Sequence, residues 1–555
     1  VQSICATRSA GRKDVAGLAV KMWQARPLIL AVAGGVAAVL LAGCGDNSKP
    51  TPAPGGSTTT PGPDTPAGPI DCPADLKRGH CTKCYYSGGT GGQTTCQACS
   101  SPYKLSDQTK CVVSCSDMPT PAAKPGMPTN AQSYNGITWP STCFDEEEIH
   151  FFTVGDWGGV CDWNTGKCSD GSNPYAGQYP ELKGKPFPMP NRKGAPLQVP
   201  VDYMAQNLVA SRMKEKAEEL KKDGQDPKFV LNVGDNFYPG GVDAHCSDGS
   251  PNDAAFTQSQ FAQVFEQMYP VEDLGSIEWW SVLGNHDYGG VCYIKGWDQQ
   301  IFYTYKPNGR WVMPAQYWRR FVQFKTFSVD FYFLDTNILD SFSPDVDPGH
   351  NLCSSKSNPG EHCELDKYPV KNGTDGASCS ATGPMSPQDC VSWFEKLWSD
   401  QKKWFVDAVQ KSEADWQIVV MHHPPSYTPG RGESVLHWTD IAREAGIDLI
   451  VTGHKHEQKV YYKREFAGTD LEGTAWVITG GGGGVTSDVL PTSSGQDDAY
   501  GFMDMRMSLD EIEITAISHG GTRNAYIERS KTTVTPRLKA SELDADAASS
   551  LEITV

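Results

Sequence analysis

The sequence predicts an α/β fold over residues 144–530, on three observations. Short apolar runs such as Ile149–Val154 and Phe229–Val233 are typical of buried strands. Between them, apolar residues recur at near-helical spacing across 204–220, and Gly224 is a typical helix stop. Polar residues that can bind metal follow directly after several strands. Because sites in α/β sheets gather at the carboxyl ends of the strands, this arrangement predicts a functional site there.

The remainder of this region continues the alternation of strand and helix. Further strands are expected at Trp279–Leu283, Trp416–Met421 and Ile447–Val451, and further helices at Phe394–Val409 and Val435–Ile441.

A polar insertion at residues 339–392 interrupts the alternation. The glycosylation sequence that begins at Asn372 fits an exposed loop. A bridge between Cys161 and Cys168 is expected to steady the loop that follows the first strand. Four cysteines in the insertion are expected to close it by two disulfides: Cys353, Cys363, Cys379 and Cys390.

Length and charge limit the classes of function. A chain of 555 residues is long enough for several units. Its formal net charge of −18 disfavours nucleic acid or anionic lipid as the main partner, so no nucleic acid binding as such is expected. A site for a negatively charged substrate therefore needs its own local positive charge.

Residues 1–45 have the layout of an export segment. Basic residues as far as Arg26 precede an apolar run from Pro27 to Ala42, which is short for a spanning helix. The run ends at Cys44 in a sequence that resembles a bacterial lipobox. Lipidation is one expectation, and an ordinary cleaved signal peptide is the other. Both predict a secreted or extracellular surface protein, and lipidation would also anchor it to a membrane.

A cysteine-rich module is expected at residues 72–116, after a Pro/Thr/Gly linker at 46–71. The module holds seven of the eighteen cysteines and almost no apolar residues, so it needs staples to keep a shape. The Cys-x-x-Cys spacings that begin at Cys81 and Cys96 also fit a zinc ribbon. Export into an oxidising compartment favours disulfides instead. Two further segments are expected, a linker at 117–143 and a C-terminal tail at 531–555.

Five short motifs stand at the ends of the predicted strands. Each is weak alone, because an Asp after a Gly is often only a turn and a lone His is usually a satisfied core residue. Their combination in order is specific. The motifs are Gly155-Asp156-Trp157-Gly158, Gly234-Asp235-Asn236-Phe237-Tyr238, Gly284-Asn285-His286-Asp287, Val419-Val420-Met421-His422 and Gly453-His454-Lys455-His456.

On these motifs the chain resembles the purple acid phosphatases of the small, tartrate-resistant-acid-phosphatase-like type, within the calcineurin-like metallophosphoesterases. The resemblance covers most of 144–530 but neither the N-terminal modules nor the insertion. It extends to the aromatic segment Trp311–Trp318, to Leu334–Thr336 and to Tyr500–Met503. It implies a metallophosphoesterase fold, in which two packed mixed β-sheets are flanked by helices, here preceded by the small disulfide-rich module.

The resemblance also implies a dinuclear metal centre, Fe(III) with a divalent metal (Fe, Zn or Mn). Seven residues of the motifs match the family's ligands position by position. The trivalent site would take Asp156, Tyr238 and His456, the divalent site Asn285, His422 and His454, and the bridge Asp235.

These residue types suit such a centre on physical grounds. A carboxylate such as Asp235 can bridge two cations. The phenolate of Tyr238 favours ferric iron, whereas neutral Asn285 and imidazoles suit a divalent ion. His454 and His456 are two residues apart, so in extended backbone both side chains would leave on the same face. Two carboxylates, a phenolate and a bridging hydroxide would leave about one positive charge on the metal pair, which would attract a phosphate dianion.

The activity implied by the resemblance is acid phosphatase activity, the hydrolysis of small phosphate monoesters. Hydroxide held by the metals would attack phosphorus in line, and a nearby imidazolium would protonate the leaving group. Two other hypotheses stay open. The same ligands could serve an extracellular phosphodiesterase or nucleotide hydrolase, or the protein could be a non-catalytic surface protein whose cysteine-rich module does the work.

The proton donor is less well defined than the metal ligands. His286 is the first candidate, because it neighbours a ligand without being one in the family. The family's small members carry another histidine a little beyond the position of His422, and this sequence lacks it there. Arg431 or His437 could replace it, and His423 is an additional candidate. Arg431 would bind phosphate but could not donate a proton.

Overall fold

The computed structural model describes residues 67–536, all of which belong to one compact unit, Thr59–Val555. The gaps within this range are residues 73, 88–92, 107–109, 160–204, 239–240, 243–259, 289–295, 307–308, 347, 349–350, 356, 359–381, 385–386, 428–437, 463–470, 472, 486–498 and 519–526. Several predicted features lie outside the described residues: the export segment, Cys161 and Cys168, Cys363 and Cys379, the sequence at Asn372, Arg431 and His437.

The strands are, in chain order, β1 (Gly68–Ile70), β2 (Cys81–Tyr86), β3 (Thr94–Cys99), β4 (Lys104–Ser106), β5 (Lys110–Val112), β6 (Ile137–Phe144), β7 (Ile149–Val154), β8 (Phe229–Asn232), β9 (Glu278–Ser281), β10 (Trp311–Val312), β11 (Trp318–Phe324), β12 (Ser328–Leu334), β13 (Trp416–Met421), β14 (Leu449–Thr452), β15 (Gln458–Tyr461), β16 (Ala475–Thr479), β17 (Gly501–Met507), β18 (Ile512–Ser518) and β19 (Ile527–Val534).

The α-helices are α1 (Ala74–Arg78), α2 (Ala205–Lys222), α3 (Val271–Leu274), α4 (Trp297–Tyr303), α5 (Pro387–Gln410) and α6 (Trp438–Ala445). Short 3-10 helices span Cys115–Asp117, His286–Tyr288 and Asn337–Asp340, and a π-helical turn spans Ala262–Glu266. No helix among the described residues is long and apolar enough to cross a membrane.

Two seven-stranded mixed sheets form the centre of the fold. The first has the order β10-β9-β8-β7-β17-β18-β19 and the second the order β15-β16-β14-β13-β12-β11-β6. Strands β7, β8 and β9 run parallel as neighbours in the first sheet, and β12, β13 and β14 do so in the second. Parallel neighbours end at the same edge of a sheet, so each sheet presents one edge of carboxyl-terminal strand ends.

The two sheets pack face to face over an aromatic core. The Phe229 ring of β8 stacks on Trp280 at 3.9 Å and meets Phe331 of β12 edge-on at 5.5 Å between centroids. Helices cover the outer faces: α2 contacts β17 and β18, while Phe405 of α5 packs on Tyr332 of β12. The predicted fold, two mixed sheets flanked by helices, is therefore confirmed.

The cysteine-rich module is a disulfide framework, as the preferred interpretation predicted. Strands β1–β3 form one small sheet and β4–β5 another. Seven cysteines of the module are paired, which leaves none of these thiols for zinc. The pairs are Cys72–Cys84, Cys81–Cys96, Cys99–Cys111 and Cys115–Cys143.

The module docks on the larger domain near the amino ends of β12 and β13. His80 stacks on Tyr103 at 3.6 Å between centroids, and its Nε2 lies 3.3 Å from the carboxylate of Asp415. Gln323 donates to the Tyr103 hydroxyl at 3.0 Å. The Cys115–Cys143 disulfide adds a covalent link. The module therefore sits at the end of the sheets opposite the carboxyl-terminal strand ends.

Two predicted boundaries need correction. The linker predicted at 117–143 ends in strand β6, which pairs with β11 at the edge of the second sheet. The tail predicted from 531 begins too early, because β19 runs to Val534 and pairs with β18. Both strands are edge strands with alternating or polar sequence, so they lack the continuous apolar run of a central strand.

Candidate metal centre

Strand ends from both sheets meet at one place. In the first sheet, Asp156, Asp235 and Asn285 follow β7, β8 and β9. In the second sheet, His422 and His454 follow β13 and β14. The predicted ligands therefore occupy the carboxyl-terminal edge, as their positions in the sequence predicted.

One cluster is formed by Asp156, Tyr238 and His456. The Tyr238 hydroxyl lies 3.0 Å from Asp156 Oδ1 and 3.4 Å from His456 Nε2. His456 Nε2 is 3.7 Å from Asp156 Oδ1. Asp156 and Tyr238 are fully buried, so their oxygen atoms face one another rather than water.

A second cluster is formed by Asn285, His422 and His454. The Asn285 Oδ1 atom lies 3.1 Å from His422 Nε2 and 3.1 Å from His454 Nδ1, and the two ring nitrogens are 3.3 Å apart. His422 Nδ1 faces the Val233 carbonyl at 2.8 Å. That contact orients the ring so that Nε2 points into the cluster, which is how an imidazole ligand is held at a metal site.

Asp235 joins the two clusters. Its Oδ2 accepts a hydrogen bond from the Tyr238 hydroxyl at 2.7 Å and lies 3.4 Å from His422 Nε2. Its Oδ1 accepts from the backbone N–H of His286 at 2.9 Å. This carboxylate touches both clusters, and its predicted role as a bridge is consistent with that position.

Left-handed backbone sets the directions of three predicted ligands. Asp156, Asp235 and His454 have φ values of 58°, 52° and 68°. Such values are uncommon outside glycine and concentrate at functional sites. The predicted extended backbone at His454 and His456 is therefore wrong. The two histidine rings are directed instead by the left-handed backbone of His454 and by a tight turn. In this turn Lys455 N donates to Gly453 O at 2.8 Å.

Glycines leave room for the carboxylates. A Cβ atom at Gly453 would lie 2.4 Å from Asp156 Oδ2, and one at Gly284 would lie 2.2 Å from Asp235 Oδ1. A run of five glycines after β16 serves the same purpose on another side, since a Cβ at Gly484 would lie 2.5 Å from the Tyr238 ring. This run is not among the predicted motifs, although five consecutive glycines after a strand are a visible signal of close backbone approach.

The electrostatics of the clusters favour bound cations. Burial raises the pKa of Asp156 well above its ordinary value against the pull of His422, and the Asp235 carboxylate adds to the rise. Burial and the same two carboxylates raise the pKa of Tyr238. Burial also works against the charge of Asp235, but His422 and His286 hold its pKa well below its ordinary value. Burial lowers the pKa of His422, yet Asp235 raises it to about 10 overall.

These shifts describe one carboxylate, Asp235, that His422 and His286 keep ionised, beside a buried acid and a phenol, Asp156 and Tyr238, whose pKa values are raised. Cations held between them would let Asp156 and Tyr238 ionise as well. Two carboxylates, a phenol, an amide oxygen and three imidazoles form a donor set of hard oxygens and nitrogens that suits ferric and divalent first-row ions. The residues therefore fit the dinuclear centre that the family resemblance implies.

His286 stands at the mouth of the site. Its ring lies 4.5 Å from the Tyr238 ring between centroids, and the residue is half-buried, whereas the carboxylates are enclosed. This position agrees with its predicted role as a proton donor, which stays a prediction.

His423 occupies a different kind of position. It is fully buried, and its Nδ1 and Nε2 atoms lie 2.9 Å from Thr336 Oγ1 and 3.0 Å from Asp340 Oδ2. Both ring nitrogens are engaged behind the cluster, so the geometry argues against the predicted role of His423 as a proton donor.

Asp287 holds the site's loops together, a role that was not predicted from the sequence. Its carboxylate accepts from Gly284 N at 2.7 Å, Asn236 N at 2.9 Å and Gln300 Nε2 at 2.8 Å. Burial and the charge of Asp235 raise the pKa of Asp287 to about 7. Its position within the third motif was the available signal, but two of its partners, Asn236 and Gln300, lie in other segments of the chain.

The chain carries a domain of a known family. Residues 210–458 match the family model described as calcineurin-like phosphoesterase. The matched segment contains all the predicted ligands except Asp156, which precedes it. The chain therefore contains a calcineurin-like phosphoesterase domain.

The chain is similar to purple acid phosphatases, which confirms the predicted resemblance. It is 26% identical over 255 residues to purple acid phosphatase 17 of Arabidopsis thaliana, covering 45% of this chain and 57% of that protein. It is 24% identical over 326 residues to human tartrate-resistant acid phosphatase type 5, covering 56% of this chain and 80% of that protein. The chain thus spans little more than half of the Arabidopsis relative.

A solved structure with a similar course of the chain is GAP50, the anchor in the inner membrane complex of Plasmodium. The likeness has 18% sequence identity and a TM-score of 0.40, and it covers 71% of this chain and 91% of that chain.

We expect Gly453→Ala to displace the Asp156 carboxylate, because the added Cβ would lie 2.4 Å from its Oδ2 atom. The φ of Gly453 lies outside the left-handed region, so the effect is steric. Overpacking of this kind costs about 1–3 kcal/mol of stability. Metal analysis of the purified variant should show loss of the ion near Tyr238.

Gly126→Ala is the matched control, since a Cβ there meets nothing within 4 Å. Full metal content in Gly453→Ala would contradict the assignment of Asp156 as a ligand.

Proposed function

We propose that the protein hydrolyses phosphate monoesters at a dinuclear metal centre. The observation that carries the proposal is the division of the predicted ligands into two clusters that share one carboxylate, Asp235. A shared carboxylate suits two ions at the short separation used for in-line displacement at phosphorus. The family model and the relatives named acid phosphatases support the same chemistry.

Ferric iron would be held by Tyr238, Asp156 and His456. A divalent ion, Fe, Zn or Mn, would be held by Asn285, His422 and His454. A phenolate donor favours ferric iron, and a neutral amide with imidazoles suits a divalent ion. When bound, the pair supplies an activated water and polarises the phosphate ester.

The chain's own residues would supply orientation and proton transfer. The backbone N–H of His286 and the Tyr238 hydroxyl fix the Asp235 carboxylate from two sides. His286, His454 and His456 are only half-buried, so an ester would approach the site on their side. A protonated His286 there could give its proton to the departing alkoxide.

An oxidising compartment is part of the proposal. Four disulfides in and beside the cysteine-rich module and one at Cys353–Cys390 suit a secreted or surface-exposed protein. Anchoring to a membrane through lipidated Cys44 remains a hypothesis.

The direct test is a substrate panel on the purified full chain. We expect monoesters to be hydrolysed faster than diesters and nucleoside triphosphates, and chelation to remove the activity.

Asp235→Asn should lose both metals and all measurable turnover, because the substitution removes the negative charge that the two ions share. Asp226→Asn, at an exposed carboxylate, should behave as the parent protein. Preference for diesters would favour the alternative function, and a metal-loaded but inert parent protein would refute catalysis.

The visible absorption spectrum tests the identity of the metal near Tyr238. If its phenolate binds ferric iron, the oxidised protein should absorb visible light, and Tyr238→Phe should lose the band while it keeps its fold. Tyr305→Phe removes a hydroxyl that donates to the Pro314 carbonyl at 3.3 Å, and it should leave the spectrum unchanged. A colourless, iron-free and active parent protein would point to a dizinc or dimanganese centre.

A comparison of rates on esters with different leaving groups tests the role of His286. We expect His286→Ala to keep its metals but to lose about a hundred- to ten-thousand-fold in rate on alkyl phosphates, the usual range for general acid help. Nitrophenyl phosphate, whose leaving group hardly needs a proton, should suffer much less. Equal losses on both esters, or loss of a metal, would show that His286 binds phosphate or supports the centre instead.

A further inference from the structure

Asp340 lies beside the site, and neither the ligand set nor the proposed reaction uses it. It ends the short helix Asn337–Asp340 that follows β12, and its side chain is 2% exposed. Its Oδ2 lies 3.0 Å from His423 Nε2, and its Oδ1 accepts from the Tyr427 hydroxyl at 2.6 Å. One buried carboxylate thus holds two side chains from the loop after β13.

Those two side chains enclose His454. The His423 ring lies 4.4 Å from the His454 ring between centroids, and the Tyr427 ring meets it edge-on at 4.3 Å. The rotation of an imidazole ligand depends on the groups packed against it, since its metal-facing nitrogen must stay aimed. The wall formed by His423 and Tyr427 therefore limits how the ring of His454 can turn.

The hydrogen bonds define the orientation of His423. Thr336 Oγ1 accepts from the backbone N–H of His423 at 3.1 Å, so its own proton is available for His423 Nδ1 at 2.9 Å. Nε2 then carries the ring proton and donates to Asp340. In this arrangement both ring nitrogens of His423 are hydrogen-bonded, and Asp340 is the acceptor for the second of these bonds.

The insertion keeps the carboxylate in place. The Asp340 carbonyl accepts from Leu352 N at 2.8 Å, and the next residue, Cys353, is bonded to Cys390 in α5. Asp340 is therefore tied both to the end of β12 and to the base of the polar insertion.

We propose that Asp340 is a positioning residue for the divalent-metal site, acting through His423 and Tyr427 on the ring of His454. The inference rests on the proposed function only in taking His454 as a metal ligand. Asp340 itself touches neither substrate nor metal, and His423 serves as part of the wall.

The test measures metal affinity directly. The full chain is loaded with ferric iron and titrated with Zn²⁺ against a competing chelator. Asp340→Ala should weaken Zn²⁺ binding about 10- to 100-fold, the usual effect of removing a group that orients a ligand. The visible band that reports the ion near Tyr238 should remain, because that cluster is held by other residues.

Asp340→Asn should restore most of the affinity. Its oxygen can accept from His423 Nε2, and its amide can donate to the Tyr427 hydroxyl, which can act as acceptor. Tyr427→Phe removes only one of the two hydrogen bonds and should weaken Zn²⁺ binding by a smaller factor. This variant keeps the inference testable if Asp340→Ala does not fold.

Asp330→Ala is the matched control for the loss of a buried carboxylate. Asp330 lies within β12 and accepts from Arg319 at 2.9 and 2.7 Å, away from the site. It should lower stability without changing Zn²⁺ affinity. Unchanged affinity in folded Asp340→Ala, or equal loss in Asp330→Ala, would overturn the inference.

The parent protein separates this inference from the proposed function. If it binds Zn²⁺ but hydrolyses no phosphate ester, the proposed function fails, and the comparison of affinities still decides the role of Asp340. If it binds no divalent ion, His454 has no ligand role and both proposals fall.

Discussion

The burial of two carboxylates where the sheets meet is the constraint on which the rest of the site depends. Asp156 and Asp235 lie in the protein interior, where an ionised acid is costly unless positive charge or hydrogen bonds offset it. Tyr238, His422 and backbone N–H groups supply part of that compensation. Burial still raises the pKa of Asp156 well above its ordinary value. Cations between the carboxylates would offset the rest of the cost, so the burial that is expensive for the fold suits the site for metal.

The backbone around these acids is shaped for the carboxylates rather than for regular structure. Asp156, Asp235 and His454 adopt left-handed φ, and glycines stand wherever a Cβ would strike a carboxylate oxygen. Such conformations cost about 1–3 kcal/mol each and persist only where packing enforces them. The aromatic layer between the sheets provides that enforcement, because strands β8 and β12 are locked together through Phe229 and Phe331.

Much of the site could be predicted from the sequence because its predicted ligands follow strands. A residue just after a buried strand has a defined place at the sheet edge, so Asp156, Asn285 and His422 could be brought together without coordinates. The clustering of Tyr238 with the acids followed from its short offset from Asp235. The direction of His454 and His456 could not be predicted, since a left-handed residue replaces the alternation of a strand.

Contacts between distant segments could not be predicted from the sequence either. Asp340 and His423 are separated by 83 residues, and nothing in either local pattern indicates that they meet. The same holds for the disulfide partners of the module, because the export signal and the number of cysteines favour disulfides without showing which cysteines pair. Strand β6 was missed for another reason: it lies at a sheet edge, where most of its residues are only half-buried, and the apolar run that marks a central strand is absent.

The position of the cysteine-rich module follows from the direction of the strands. In a parallel arrangement every strand that ends at the site begins at the opposite pole, and the module contacts that pole beside Asp415 and Gln323. It can therefore be stapled to the domain through Cys143 without touching the ligands. The insertion attaches at the other end of the sheet. It begins after the carboxyl end of β12, so its base, at Asp340, lies against the site. Two additions to one fold thus differ in their influence on the metal centre because they attach at opposite ends of the same sheet.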